Sequence, residues 1–592
     1  MSQDKEAVFM LYRKKLRKKL RFLRLLMIFD MINEKRQGQY CKGKAVLRIL
    51  FMGNMRIKQH NKIIRGWVAK TALFLGILFL VCACGRKEYE GDDTEGIAGN
   101  EPVTLDWYIN FTWYASPWGG NAVSEKITGD TGISINFITP KGSEEEKFNA
   151  LMSSDSLPDI ITLGWWENQV DEMISKDMVY ALNELADKYD ACFWEAANPE
   201  IVSWYTREDG NLYCYPNSSY TPSDYEKYGN IASNQTFLVR KDIYEALGCP
   251  DMTTPEGFTN AVKAAAQLYP EVDGYPLIPI GAHVFDSTGC VSFDQYLQNF
   301  LAIPYEKNGK YYDRYTDPEY IRWLKTFRKL GQEGYLKEDI FIDQRTQMEE
   351  KLARGQYFCM IYQRTDLSDQ QIELYNKNPD MIYMAVDGPK NAAGDDHILP
   401  GGGINGWTVT FISKNCRYPD RAIKLFSYLI SDEGQMATYL GVEGVTYDMV
   451  EGKPVVREEV RKLMNSDREA YNKKYGADNT YWMFQNNARQ LEWRHDYEPP
   501  NGQLEEWTFP YSHYMAQYEI SFDRNSEAGS ADVNIKKLWS KTLPQLLLAS
   551  TEEEFDRIFD EFVKEREKLG FELVVEESTR QMEYNKEKLG LS

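Results

Sequence analysis

Histidine is scarce in this chain, with five among 592 residues. None stands in H-E-x-x-H, and no G-x-S-x-G occurs, so neither a zinc protease nor a nucleophile-elbow hydrolase is indicated. The nine cysteines are scattered without a C-x-x-C, which argues against a structural zinc site and a redox motif. The glycine-rich stretch "GGGING" lacks the Lys-Ser/Thr of a phosphate-binding loop and reads as a turn, so nucleotide is discounted. Nothing has the spacing of an EF-hand loop, and no fixed-period repeat is present; no metal and no cofactor are expected. Basic residues are also few in the body of the chain. Residues 1–83 hold nineteen of the 69 Lys and Arg but four of the 89 Asp and Glu, leaving the remainder near −35. Such a charge makes a poor nucleic-acid binder.

The longest-range clue is an apolar run in an unusual place. "TALFLGILFLVCAC" (71–84) holds roughly a dozen apolar residues, short of the ~20 that span a bilayer. Its upstream flank, "MRIKQHNKIIRGWVAK", is basic and carries no acid. A basic segment, a short apolar stretch and a small residue at the cut describe an export signal; an uncleaved anchor is the alternative. Val81-Cys82-Ala83-Cys84 resembles a bacterial lipobox, with Ala83 at the cut and Cys84 as the lipid-bearing new N-terminus. Cutting before Cys82 would put bulky Val81 where a small side chain is needed. Lipid on both thiol and amine would anchor stably, where a single chain is marginal. Residues 1–54 are read as a misassigned start, with translation beginning at Met52 or Met55. A basic amphipathic helix in "YRKKLRKKLRFLRLL" is the other reading. Residues 55–83 are then the signal and 84–101, rich in Gly and acid, a flexible tether.

Roughly 500 residues remain, too many for one core and suited to two large lobes. "PVTLDWYI" (102–109) alternates as a strand. "AVSEKITGDTGISINFIT" reads as a helix through Thr128, a turn at Gly129-Asp130 and a strand Ile133–Ile138. "KFNALMSSDSLPDIITLG" reads as helix, break and a short apolar strand. "QTFLVRKDIYEALG" is a strand and a helix closed by Gly248, and Thr254 caps the next helix with Pro255 at its first position. Ile321, Leu324 and Phe327 share a helix face. "MEEKLARGQYFCMIYQ" is helix then strand, "NGWTVTFISKNCRYPDRAIKLF…" a strand followed by two helices, and the end is mostly helical. This alternation predicts an α/β fold with largely parallel sheets. Six cysteines stay in the exported part, and mostly free, buried thiols are expected.

In this order, "KFNALMSSDSLPDIITLG", "GNLYCYP", "FLVRKDIYEALGCPDMTTPEGFTNAVKA", "LKTFRKLGQEGYLKEDIF", "LARGQYFCMI" and "DRAIKLFSYLISDEGQMATYLGVEGVTY" resemble the family 1 extracellular solute-binding lipoproteins of bacterial ABC importers. Within them the chain is similar to the LplA-type branch linked to oligosaccharide uptake, over about 103–590. The resemblance implies a periplasmic-binding-protein-like α/β fold, two lobes with a ligand cleft between them and hinge crossings. By it the first lobe takes 102–235 with 400–450 returning, the second 236–399, and the helical part 451–592 packs mainly on the second. It also implies an oligosaccharide ligand, permease subunits as partners, and a monomer held by lipid on the outer face of a Gram-positive-type cell membrane.

Ligands in open α/β sheets lie beyond the carboxyl ends of strands, so polar and aromatic residues following strands are the binding candidates. These are Trp113 and Trp118, the adjacent Trp165 and Trp166, Tyr215, Tyr362 with Arg364, Asn405 with Trp407, and Glu443. Core packing is the competing role for every Trp and for Tyr215, a helix cap for Glu443, and an ion pair for Arg364. Abundant aromatics, 14% of residues, suit rings stacked on sugar but also fill cores. Besides an importer's binding protein, two readings stay open. One is a surface glycosidase or lyase, which needs two carboxylates facing across a cleft, with Asp106 and Glu443 among the acids available. The other is a sensing lipoprotein without a permease.

Overall fold

The computed structural model describes residues 101–229, 231–494 and 499–591. The signal, most of the tether and Cys84 lie outside the described residues. Nine strands build the two main sheets: β1 (Val103–Ile109), β2 (Ile133–Ile138), β3 (Ile160–Gly164), β4 (Cys214–Pro216), β5 (Gln235–Arg240), β6 (Ile278–Gly281), β7 (Tyr357–Gln363), β8 (Tyr383–Ala385) and β9 (Thr408–Ile412). The first sheet has the order β2-β1-β3-β9-β4 and the second β8-β5-β7-β6. The chain thus leaves the first sheet after Pro216, builds the second, and returns to the first at Thr408.

Neither sheet is largely parallel. β1 pairs parallel with β2 and β3, but β9 runs antiparallel to both its neighbours. In the second sheet only β6 and β7 are parallel. The expectation fails because alternating strands and helices reveal crossovers within one lobe, while β9 enters the first sheet from the other lobe and from the opposite end. Both faces of the first sheet are covered, as side-chain alternation along a strand requires. Leu105, Trp107 and Ile109 of β1 enter one core, and Tyr108 enters another with Phe148, Ile161, Leu163 and Phe411. The Trp107 Nε1–H donates to Thr162 Oγ1 at 2.8 Å, so this indole is buried with its polar atom satisfied.

Local signals decide the helix ends. The first helix runs Ala122–Thr131 rather than stopping at Thr128. Gly129 is carried inside it, and the left-handed residue that ends it is Gly132 (φ 68°), a conformation glycine takes without cost. Thr254 caps the helix Pro255–Leu268 by accepting from the Gly257 N–H, with Pro255 at its start, as the sequence predicts. The six described cysteines are free; Cys214, Cys290, Cys359 and Cys416 are buried, and Cys192 and Cys249 are exposed.

The C-terminal part is divided between the lobes rather than packed mainly on the second. Val460, Tyr471, Tyr481, Trp482, Phe484 and Ala516 enter the first lobe's core. Leu504, Trp539, Leu543, Leu547, Phe555 and Phe562 enter the second's. A two-residue parallel pairing of Leu399–Pro400 with Ser512–His513 ties crossing segments together. Apolar side chains on both sides of each crossing decide this division, and a pattern of helices in sequence does not report it. Among the described residues no helix is long and apolar enough to cross a membrane.

Candidate functional site

The carboxyl ends of the parallel pair β1 and β3 share one edge, with Ile109 in register with Thr162. The residues that follow are Asn110, Phe111, Thr112, Trp113 and Tyr114 on one strand, and Trp165, Trp166 and Glu167 on the other. Because β9 is antiparallel and Thr408 lies opposite Gly164, its amino end comes to the same edge and brings Trp407. Two constraints fix Trp407 there. Its N–H donates to the Asn217 carbonyl at 3.1 Å, and the preceding Gly406 (φ 67°) lies so close that a Cβ would meet that carbonyl at 1.9 Å.

These ends assemble an aromatic platform. The Trp113 and Trp407 rings lie 5.9 Å apart and within 11° of parallel. Trp482 lies 4.6 Å from Trp407 and 5.8 Å from Trp113, and Phe111 closes the group at 5.4 Å from Trp407. Trp113 is 57% exposed while Trp482 is 8% exposed, so the stack is anchored at one end and open at the other. Trp482 escapes a search of strand ends because it sits in the short helical turn Trp482–Phe484, held by Asn217 Nδ2 donating to its carbonyl at 3.0 Å. Trp165 is half-buried and Trp166 is 49% exposed, because adjacent side chains at a strand end point to opposite faces. The Trp166 ring lies over Gly164, where a Cβ would meet it at 2.6 Å.

A carboxylate, Glu167, follows the end of β3. Glu167 Oε1 accepts from the Gly164 N–H at 2.7 Å and Oε2 from Asn110 Nδ2 at 2.6 Å. Burial pushes its pKa up to about 7 despite these donors, with Glu144 and Glu145 adding to the rise. Glu144 itself accepts from the Thr112 N–H at 2.6 Å.

In the second lobe the parallel pair β6 and β7 ends at Gly281 and Gln363. His283 follows β6, its ring 5.7 Å from that of Tyr362, and burial lowers its pKa, which keeps it neutral. Tyr362 is buried, and its hydroxyl meets no hydrogen-bond partner among the described residues. Gln363 Nε2 donates to the Tyr296 hydroxyl. Arg345 reaches Glu349 at 2.7 Å and Asp366 at 3.0 Å. His283 escapes the sequence reading because no strand is expected at β6, and Tyr296 and Arg345 escape it because they lie in helical segments rather than after strands.

Other sequence candidates have structural roles. Tyr215 is 6% exposed and packs on Phe193 and Phe484, because β4 is fully buried; it is in the core rather than open to ligand. Trp118 turns back onto its own lobe, donating to Thr128 Oγ1 at 2.9 Å and packing on Tyr481. Asn405 is buried, its Oδ1 accepting from Trp204 Nε1 at 2.6 Å and its carbonyl from the Tyr205 hydroxyl at 2.7 Å. Arg364 Nε donates to the Ser233 carbonyl at 2.8 Å, and Nη2 lies 3.5 Å from Glu505, which places it in the crossing segments. Glu443 is exposed in a turn that meets Tyr447. Among the described residues no group of three or more His, Cys, Asp or Glu is arranged to hold a metal ion.

The crossing segments hold a buried acid, Glu519. It accepts from Asn405, and burial raises its pKa to about 7. Gly403 must lack a side chain, since a Cβ there would meet Glu519 Oε1 at 2.0 Å. A folded-state pKa above the ordinary value near 4.5 means that this group favours folding most below pH ~4.5, and that the benefit fades as pH rises through 7. Glu519→Gln, which keeps an acceptor for Asn405 without the charge, is therefore expected to stabilise at pH 8 by roughly 1–3 kcal/mol and little at pH 5. Thermal unfolding from pH 5 to 8 checks this. Equal Tm changes at both ends would contradict it.

Two lobes, each offering the ends of a parallel strand pair, and a chain that crosses repeatedly between them define a solute-binding protein of the periplasmic-binding-protein type. The chain belongs to the bacterial extracellular solute-binding protein family, whose model matches residues 122–459. It is 22% identical over 390 residues to the polygalacturonan/rhamnogalacturonan-binding protein YtcQ of Bacillus subtilis (strain 168), covering 63% of this chain and 73% of that one. It is 22% identical over 344 residues to Lipoprotein LipO of the same organism, covering 55% and 64%. The fold matches the S. pneumoniae ABC-transporter substrate-binding protein FusA in complex with kestose, with a TM-score of 0.63 at 14% identity, over 82% of this chain and all of that one.

Proposed function

We propose that this protein captures an oligosaccharide in the cleft between its lobes and delivers it unaltered to an ABC permease, from a lipid anchor at Cys84 on the outer face of the membrane. The observation that carries this reading is the open stack of Trp113 on Trp407 and Trp482 at the ends of β1, β3 and β9. Flat π faces suit the C–H faces of pyranose rings, and the polar atoms of Asn110 and Glu167, at the same strand ends, suit hydroxyls. Trp165 and Trp166 extend the surface, and His283 and Gln363, at the ends of the second lobe's parallel pair, supply the facing half. The lobes are 102–235 with 400–450, and 236–399; closure is a hinge motion driven by contacts made only in the closed state. The carbohydrate names of YtcQ and FusA, and the lipoprotein name of LipO, support the ligand class and the anchor.

The test is purified protein, starting at residue 85, heated with a panel of oligosaccharides. A bound sugar at one hundred times its Kd is expected to stabilise by about 2.7 kcal/mol, and chromatography should return it uncut after hours. Shortened sugar, abolished by Glu167→Gln, would make the protein a hydrolase instead. For the anchor, mass analysis of the membrane-extracted protein should find a lipid-modified Cys84 at the N-terminus.

A further inference from the structure

The carbohydrate reading leaves the charge of the sugar open, and the two sets of strand ends bear on it. At the first lobe's edge Glu167 feels the charges of Glu144 and Glu145. The cation that reaches them, Arg524, is paired with Glu145 at 3.0 Å. At the second lobe's edge Asp286, Asp366 and Arg345 surround His283, and Arg345 is divided between Glu349 and Asp366. His283, with its pKa lowered by burial, adds no charge there. Arg364, a candidate among the residues after β7, has its guanidinium engaged by the Ser233 carbonyl and Glu505. Carboxylates outnumber cations at each edge, inside a body near −35.

We propose that this cleft selects neutral saccharides and rejects uronic-acid ones, with Glu167, at the end of β3, as the residue that reads vicinal hydroxyls. The assignment rests on the carbohydrate reading above. Each Glu167 oxygen already accepts one protein donor, the Gly164 N–H or Asn110 Nδ2. That leaves each a second lone pair, so the group is fixed in place yet still able to accept. Hydroxyl donors of a neutral sugar satisfy those lone pairs through charge-assisted bonds. A uronate brings a second carboxylate to the same place, where it finds acceptors instead of donors and like charge instead of opposite. Focusing of the field inside a cleft strengthens that rejection.

The experiment is isothermal titration at pH 8, where Glu167 is ionised, with neutral galacto-, fructo- and manno-oligosaccharides and with oligogalacturonides of matching length. A neutral sugar is expected to bind about 100-fold or more tightly than any oligogalacturonide in 50 mM NaCl. Raising NaCl to 500 mM should narrow the gap by improving only the charged ligand, because salt screens repulsion. Glu167→Gln should weaken the neutral sugar by about tenfold while improving the oligogalacturonide. Opposite movements of the two ligands exclude simple misfolding, which would weaken both. Oligogalacturonides that bind as tightly as neutral sugars, with loss on Arg364→Gln, would overturn the selectivity and leave the carbohydrate reading standing. No binding by any saccharide of either class would overturn both.

Discussion

Trp113→Ala is expected to weaken oligosaccharide binding by about tenfold or more, close to 1.4 kcal/mol, while Tm moves by no more than about 2 °C. Both halves of this result come from the ring's position. Trp113 is 57% exposed, so its removal leaves no sealed cavity and uncovers little core. Its inner face rests on Trp407 at 5.9 Å and 11°, so its outer face is held at a set angle without a rotamer search when ligand arrives, a form of preorganisation. Trp113→Phe should recover part of the affinity, since a smaller ring still offers a π face. Tyr215→Phe is the control: its ring is buried and its hydroxyl only accepts from the Asn198 N–H at 3.0 Å, so binding should not change. Calorimetric affinities and unfolding curves on the same samples check all three. An unchanged affinity in Trp113→Ala would remove the platform from the site.

Trp539→Ala should be the most destabilising single change considered, at about 4 kcal/mol or more in urea unfolding. Trp539 is 1% exposed and packs on Tyr315 at 4.8 Å and Phe562 at 4.9 Å. Its Nε1–H donates to Asp294 Oδ1 at 2.6 Å. Asp294 is buried too, and its other oxygen accepts from the Cys290 N–H at 2.8 Å. Burial already lifts the Asp294 pKa to about 7 in spite of these donors. Alanine would open a cavity and also leave a buried carboxylate short of its best donor. Trp539→Phe keeps most of the packing and loses the donor, and should cost about 1–3 kcal/mol. The loss should couple to Asp294: in an Asp294→Asn background the Phe substitution is expected to cost less, as a double-mutant cycle reads out. Sugar affinity should hold in Trp539→Phe, because Trp539 fastens the long helix Glu527–Leu548 to the second lobe's core and lies outside both sets of strand ends. An additive cycle would contradict the role given to the Nε1–H bond.

The elements themselves were largely legible in the chain. Alternation in "VTLDWYI", the cap at Thr254 with Pro255, and the apolar helix face at Leu324 and Phe327 are local signals, written within a turn or two of where they act. So is the rule that binding candidates follow strand ends, which reaches Trp113, Trp165 and Trp166 but not Trp407, which precedes its strand. Family membership was legible for a similar reason, because phrases in a fixed order record a fold without needing its contacts.

What local signals do not contain is which distant segments meet. The antiparallel entry of β9 places Trp407 against Trp113 instead of at the far edge of the sheet, and no property of either segment states that direction. Trp482 joins them through Asn217, a contact between residues far apart in the chain. Tyr215 lies in the core and Trp118 is half-buried against it, although both share composition with the platform residues, because exposure depends on what packs above a side chain and not on the side chain. The division of residues 451–592 between two cores, and the pairing of each arginine at the strand ends, are decided in the same way. The amino-acid sequence determined the strands, the helices, their ends and the kind of protein they compose. Only the tertiary structure decided which aromatic faces stay open and which charges stand beside them, since both are sums over neighbours that the chain brings together by folding.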